Sequence, residues 1–250
     1  MNPSKLNNQA VAEIGDNCFN EAISTLTKAL KRIQLVMMSS GEVRITDTAN
    51  AGADEAMAAG EDTVGGDGED TVGGDDPPRD FCFEFLTCGS SSFLTSAEDG
   101  RISPRSMFRD PMHLSSTVFN CEIEHCEKLS CVILYNLALA HHLRAMEEQN
   151  ETSRRSRLRN ALTLYEHAHR ILVSQEIDVS VLHSMAITCN LGHIHHMTGN
   201  EAASQMCFHH LLSSILQAVD CGEGGKLQRL DGFFRNVMPL MASDSSAPAA

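Results

Sequence analysis

The sequence predicts an all-α protein built from helical hairpins, and a pattern that occurs three times along the chain supports this prediction. Each copy has an asparagine followed two residues later by a small residue, and then three positions spaced by four and three residues. That spacing places the three positions on one face of a second helix. The copies are Asn8–Ala10 with Ala22, Leu26 and Ala29; Asn136–Ala138 with Ala161, Tyr165 and Ala168; and Asn190–Gly192 with Ser204, Phe208 and Leu211.

These copies divide the helical part of the chain. Residues 1–38 form the first hairpin, with its turn at Asp16–Phe19, and residues 127–220 form the second and third hairpins, with Gly199 and Asn200 in the last turn. Ala138 and Ala161 are 23 residues apart, whereas the equivalent positions of the other copies are 12 apart. The additional residues fall in the polar run 147–157, which fits either an elongated loop or extended helix ends.

A further helix is predicted in residues 221–241, where it would cap the last hairpin. The helix runs from about Lys226 to Met238, and Pro239 marks its expected end because proline removes a backbone N–H and clashes with the preceding turn. We expect residues 242–250 to be a disordered tail. The residues of the stripe are Leu227, Leu230, Phe234 and Val237, and Phe233 is also suited to cover the third hairpin.

The acidic charge of the chain is concentrated between the first two hairpins. Residues 41–80 contain twelve acidic and two basic residues, so they carry −10 of the net charge of −14 and leave −4 for the rest. Residues 60–67 recur unchanged as residues 68–75. Because this composition offers little apolar surface to bury, we expect residues 39–80 to be a disordered acidic linker.

Residues 81–126 are expected to form a loop with a small two-stranded β excursion. Residues 81–86 alternate apolar and polar side chains with period two, and residues 118–123 do so weakly. The sequence therefore predicts that these two segments pair. Residues 89–116 would then form a long loop, with turns at Ser103-Pro104 and Asp110-Pro111.

The three copies together resemble the tetratricopeptide repeat. The stretch from Ile133 to His142 is also similar to uncharacterised repeat proteins of unicellular algae. The resemblance implies that the first helix of each hairpin lines a concave groove that binds a protein or peptide. It implies these groove residues: Asn8, Val11, Tyr135, Asn136, Leu139, His142, Cys189, Asn190, His193 and His196, with Asn7 beside Asn8. The asparagine amides could hydrogen-bond an extended peptide backbone, or asparagine could simply be common at this position of the repeat.

We therefore expect a non-catalytic protein-interaction scaffold or adaptor without a cofactor, in the cytoplasm or, alternatively, in the nucleus. The near-neutral charge of the remaining residues disfavours nucleic acid as a partner. The longest apolar stretch, residues 131–140, is too short to span a membrane. No catalytic motif is recognisable.

The alternative is a histidine-rich metal-binding protein or metalloenzyme. His193 and His196 lie three residues apart on one predicted helix, and His142 could lie opposite them, so that three imidazoles would hold zinc. No HExxH pattern accompanies these histidines. The sequence favours half-buried groove or core histidines over a metal site.

One basic cluster stands out, at Arg154, Arg155, Arg157 and Arg159. It is either a solvated helix start or a surface on which the acidic linker rests.

Overall fold

The computed structural model describes residues 2–39, 83–85, 93–98, 101–115, 123–174, 181–220 and 231–243. This part of the chain is mainly helical, which confirms the predicted all-α class. The residues assigned to the acidic linker, except Ser39, and most of the predicted tail lie outside it. Its helices are α1 (Pro3–Gly15), α2 (Phe19–Ser39), α3 (Ile123–Glu147), α4 (Glu151–Ser174), α5 (Val181–Met197), α6 (Glu201–Asp220) and α7 (Asp231–Ser243). Its strands are β1 (Phe83–Phe85), β2 (Phe93–Glu98), β3 (Arg101–Phe108) and β4 (Met112–Leu114).

The helices form three hairpins, α1–α2, α3–α4 and α5–α6, that stack in chain order. Helix α2 packs on α3, α4 packs on α5, and α6 packs on α7. The first hairpin therefore packs directly on the second, although residues 40–122 lie between them in the chain. None of the helices in the described ranges is both long enough and apolar enough to cross a membrane.

The turns of the hairpins have a local physical basis. Asn17 (φ 60°) and Gly199 (φ 77°) adopt the left-handed conformation that asparagine and glycine tolerate best. Asparagine side chains also cap helix starts, because their oxygens accept hydrogen bonds from backbone N–H groups that the helix leaves unpaired. Asn2 accepts from Ser4 at 2.8 Å, and Asn150 accepts from Ser153 at 3.0 Å.

The small residues of the repeated pattern lie where the two helices of a hairpin come close together. Ala10 and Ala138 are fully buried, and Gly192 is also buried. A Cβ atom added to Gly192 would lie 2.9 Å from Cζ of Phe208, which is closer than Cβ atoms in proteins approach atoms of other residues. Tyr165 and Phe208 are fully buried, as their positions in the pattern predict.

The eleven additional residues of the second hairpin lengthen its helices. Helices α3 and α4 have 25 and 24 residues, whereas α5 and α6 have 17 and 20. Only residues 148–150 lie between α3 and α4, so the extended helix ends were the correct alternative and the elongated loop was wrong. The first turns of α4, residues 151–157, are polar and exposed or half-buried.

The β excursion exists, but its predicted pairing is wrong. Strand β1 pairs with β4, and β2 pairs with β3, both antiparallel. The predicted long loop therefore contains three strands. Ser103-Pro104 lies within β3 instead of forming a turn, whereas Asp110-Pro111 lies in the break between β3 and β4. Of the predicted second strand, Ile123 begins α3 and residues 118–122 lie outside the described ranges.

Helix α7 begins at Asp231 and continues through Pro239, so the predicted end was wrong. A proline deprives the carbonyl four residues earlier of its partner, and here Arg235 and Pro239 both lie on the exposed side, where water can reach. Phe233 and Val237 are buried, and Phe234 is half-buried. The predicted stripe residues Leu227 and Leu230 lie outside the described residues.

Candidate peptide-binding groove

The first helix of each hairpin, together with α7, has an asparagine that binds both backbone polar groups of one residue in strands β3 and β4. Each asparagine forms two hydrogen bonds with the backbone of a single residue: its Oδ1 accepts from the N–H, and its Nδ2 donates to the C=O of the same residue. Asn8 binds Leu114 (2.9 and 2.8 Å), Asn136 binds Met112 (both 2.8 Å), Asn190 binds Phe108 (2.8 and 2.9 Å), and Asn236 binds Ser106 (2.6 and 2.8 Å). We call these four asparagines the asparagine ladder and residues 106–114 the groove segment.

The ladder binds one edge of an extended chain. Successive residues of a strand direct their N–H and C=O groups to opposite edges, and all four bound residues have even numbers. Residues with odd numbers face the other edge, where Met107 lies opposite Leu94 of β2 and His113 lies opposite Glu84 of β1. The asparagines therefore take the place of a neighbouring strand.

The groove segment runs opposite to the order of the hairpins. Its first residue, Ser106, lies at α7, and its last ladder-bound residue, Leu114, lies at α1. Between Phe108 and Met112 the chain leaves the regular strand, and Asp110 is held there by a different contact. The hydroxyl of Tyr135 donates a hydrogen bond to the Asp110 carbonyl at 3.0 Å.

Second contacts fix the orientation of the ladder amides. Each of three Nδ2 groups makes a further hydrogen bond: Asn136 to Oδ1 of Asn7 at 2.8 Å, Asn190 to the Tyr165 hydroxyl at 2.9 Å, and Asn236 to Sγ of Cys189 at 3.0 Å. A buried amide that uses both its oxygen and its nitrogen cannot rotate without losing bonds. The ladder is thus preorganised for a backbone.

The groove segment is buried as deeply as the helices around it. Its four large apolar side chains, Met107, Phe108, Met112 and Leu114, are at most 1% exposed. Phe108 stacks on Phe233 of α7 with ring centroids 5.1 Å apart. The segment therefore contributes to the same hydrophobic core as the hairpins.

Some of the predicted groove residues from each of the three first helices contact this segment. In addition to the ladder, Asn7 donates to the Met112 carbonyl at 3.0 Å, and the thiol of Cys189 donates to the Ser106 carbonyl at 3.5 Å. Val11 and Leu139 are buried. Sequence reasoning did not place residues 106–114 against these side chains.

The fourth ladder residue, Asn236, was missed because α7 lacks the small residue that follows the other three. That small residue makes room for the second helix of a hairpin. In α7 the equivalent position is Met238, which is 61% exposed. An asparagine on the buried face of α7, without the small residue, was the only available signal.

Two of the three histidines considered for a metal site lie inside the protein. Nε2 of His142 is 3.1 Å from Nδ1 of His193, so one imidazole donates to the other, and both are fully buried. Burial lowers the pKa of His142 well below its ordinary value, and it lowers the pKa of His193 to about 4. His196 lies apart from this pair and contacts Glu201 at 3.3 Å. Within the described ranges, no group of three or more histidine, cysteine, aspartate or glutamate side chains could hold a metal ion.

Three comparisons with known proteins complete this description. Neither protein-family models, nor curated proteins, nor solved structures gave a match.

Proposed function

We propose that this chain is a non-catalytic protein-interaction module whose groove binds one extended peptide segment by its backbone. The groove segment is the resident occupant, and a partner segment takes its place. The observation that supports this proposal is the asparagine ladder, in which four side chains from four helices each bind both polar groups of one backbone residue.

Backbone recognition makes the groove tolerant of sequence. The ladder contacts N–H and C=O groups, which every residue except proline offers. Selectivity then comes from the side chains, as in peptide recognition by strand addition. The apolar residues Phe108, Met112 and Leu114 show the chemistry that fits this groove, since all three are fully buried in it.

The resident segment limits access to the groove. Burying a large apolar side chain stabilises a protein by about 1.5–3 kcal/mol, so the four buried residues of the segment together contribute on the order of 6–12 kcal/mol. The open groove is consequently a minor state, and the apparent affinity for a partner falls by the fraction of molecules that are open. Weakening the resident segment should therefore strengthen partner binding.

The experiment compares binding of a fluorescent peptide with the sequence of residues 104–116 to the intact chain and to Met112→Pro. Proline removes the N–H that donates to Oδ1 of Asn136, so the resident segment is held less firmly while the groove helices are unchanged. We expect at least a tenfold tighter interaction with the variant. The matched control is His113→Ala, because the backbone of His113 faces β1 and not the ladder.

A double variant identifies where the peptide binds. Asn136→Asp in the Met112→Pro background replaces the amide donor to the Met112 carbonyl with a carboxylate oxygen, and should abolish the gained binding. If Met112→Pro keeps its helical circular dichroism and does not bind the peptide, or if the double variant binds equally well, the proposal is wrong. Should Met112→Pro not fold, a peptide with a photo-crosslinker at the Met112 position is used on the unmodified chain. It should label α3 near Asn136, and labelling confined to other helices would overturn the proposal.

A further inference from the structure

A second concave surface lies outside the groove, where α4 extends past the end of α5. It encloses a cavity of about 450 Å³ between the first half of α4 and the turn that joins α5 to α6. The cavity follows from the lengthening of the second hairpin: the additional turns of α4 have no equivalent in the shorter α5. Its lining residues are Glu151, Arg154, Arg155, Leu158, Arg159, Leu162, Ile194, His195, Met197, Thr198 and Asn200.

The cavity has an apolar floor. Leu158 and Ile194 are almost completely buried, and Leu162 and Met197 are half-buried beside them. Because these side chains are largely covered already, an apolar ligand gains mainly from the burial of its own side chain on this floor. A volume of this size accommodates one or two aliphatic side chains.

The rim of the cavity is basic. Arg154, Arg155 and Arg159 line it with one acid, Glu151, which leaves a formal charge of +2. Both ion pairs of Glu151 use the Nε atom of an arginine, at 3.0 Å from Arg154 and 2.6 Å from Arg155. Arg159 is exposed and has no carboxylate partner in the part of the chain that the structure describes. This local excess stands against a net charge of −14 for the whole chain.

We infer that this cavity binds an acidic peptide segment of a partner protein in which an aliphatic side chain lies between carboxylates. The aliphatic side chain would enter the floor, and the carboxylates would pair with the guanidinium groups, which match carboxylate geometry well. A long polyanion such as nucleic acid fits less well, since it would extend past the three arginines of the rim over a chain whose net charge is −14. This inference is independent of the groove.

The probe for the experiment is a fluorescent peptide of sequence GEDTVGGDGEDTVGGD, which is residues 60–75 of this chain and has the required chemistry. Fluorescence anisotropy measures its binding to the full chain at low ionic strength. Reversing one charge on the rim with Arg159→Glu should weaken binding about tenfold, since it removes one exposed ion pair with the peptide and adds repulsion in its place. The matched control is Arg170→Glu, an exposed arginine on the same helix outside the cavity, which should change binding less than twofold.

A second probe separates binding in the cavity from attraction to its rim. In that probe both valines are replaced by serine, which should weaken binding about tenfold because the floor no longer gains an apolar side chain. Equal binding of the two probes, or equal losses in Arg159→Glu and Arg170→Glu, would overturn the inference. Tighter binding of a single-stranded RNA than of the peptide, lost in Arg159→Glu, would overturn it in favour of a nucleic acid.

The chain's own acidic residues are controlled in the same experiment. A full-length variant in which the acids of residues 60–75 are changed to amides and both valines to serine keeps the chain length. If only this variant binds the peptide, the cavity recognises the proposed chemistry and is already occupied from within the chain. If neither protein binds the peptide, the inference is wrong.

Discussion

Mild acid should destabilise this protein strongly, because three histidines are fully buried. His142, His183 and His193 have no exposed surface. Burial lowers the pKa of His183 to about 3 and that of His193 to about 4, and it lowers the pKa of His142 in the same direction. The unfolded chain has histidines with pKa near 6.5. Below that pH the unfolded state therefore binds more protons than the folded state.

The sign and size of the effect follow from this difference. Stability is fully present above pH 6.5, falls as the pH drops through 6.5, and continues to fall towards the pKa values of the folded state. Between pH 7.5 and 5.5 the unfolded chain takes up a proton on each of these histidines and the folded chain does not, so the three together lose on the order of 4 kcal/mol. That is a large share of the 5–15 kcal/mol, roughly, that stabilises a typical domain.

Urea denaturation followed by circular dichroism at pH 7.5 and 5.5 measures this loss. His183→Phe removes one of the three fully buried histidines and retains an aromatic ring against Tyr135, so it should reduce their combined loss by about a third. The half-buried His141, whose pKa burial lowers to about 4, adds to the total loss in both proteins. His209→Gln is the matched control, because His209 is exposed on the surface of α6. Equal unfolding free energies at the two pH values would refute the burial of neutral histidines. His142 and His193, which the repeat resemblance assigned to the groove, are buried and contact each other.

Three further substitutions test the packing and the ladder. Phe208→Ala should lower the unfolding free energy by about 3–5 kcal/mol, and an unchanged melting temperature would contradict its complete burial. Gly192→Ala should lower the unfolding free energy by about 1–3 kcal/mol because the new methyl group meets the Phe208 ring. Gly15→Ala is its control, because a methyl group there meets nothing within 4 Å, and it should leave stability unchanged or slightly higher. Equal effects of the two substitutions in calorimetry would refute the close approach of Gly192 to Phe208. Asn236→Asp should lower the unfolding free energy by about 1–3 kcal/mol, since the buried Ser106 carbonyl loses the amide that donates to it. A melting temperature like that of the parent would contradict that bond.

The helices were predictable because local patterns determine them. Stripes of apolar residues place the buried faces of α2, α4 and α6, and the small residues Ala10, Ala138 and Gly192 mark where paired helices approach. The same pattern located three of the four ladder asparagines. The fourth could not be found in this way, since α7 has no second helix to accommodate in the described part of the chain.

The occupant of the groove was not predictable from local patterns. Residues 106–114 contain Pro111 and have no sustained alternation of apolar and polar side chains, so the sequence pattern predicts a loop. Their extended conformation depends on asparagines 24 to 130 positions away in the chain. Bonds between such distant positions leave no periodic trace in one sequence. The predicted pairing of residues 81–86 was wrong for a similar reason. The partner of β1 is β4, and Asn8 and Asn136 of the ladder bind β4 from distant parts of the chain.

Amide hydrogen exchange of the groove segment tests the central claim most directly. The N–H groups of Ser106, Phe108, Met112 and Leu114 should exchange at least about a thousandfold more slowly than in an unstructured peptide, because each donates to a ladder asparagine. Asn136→Asp should accelerate exchange at Met112 more than at Ser106. Exchange of all four amides at the rate of an unstructured peptide, while the amides of α3 and α5 remain protected, would contradict a groove occupied by its own chain.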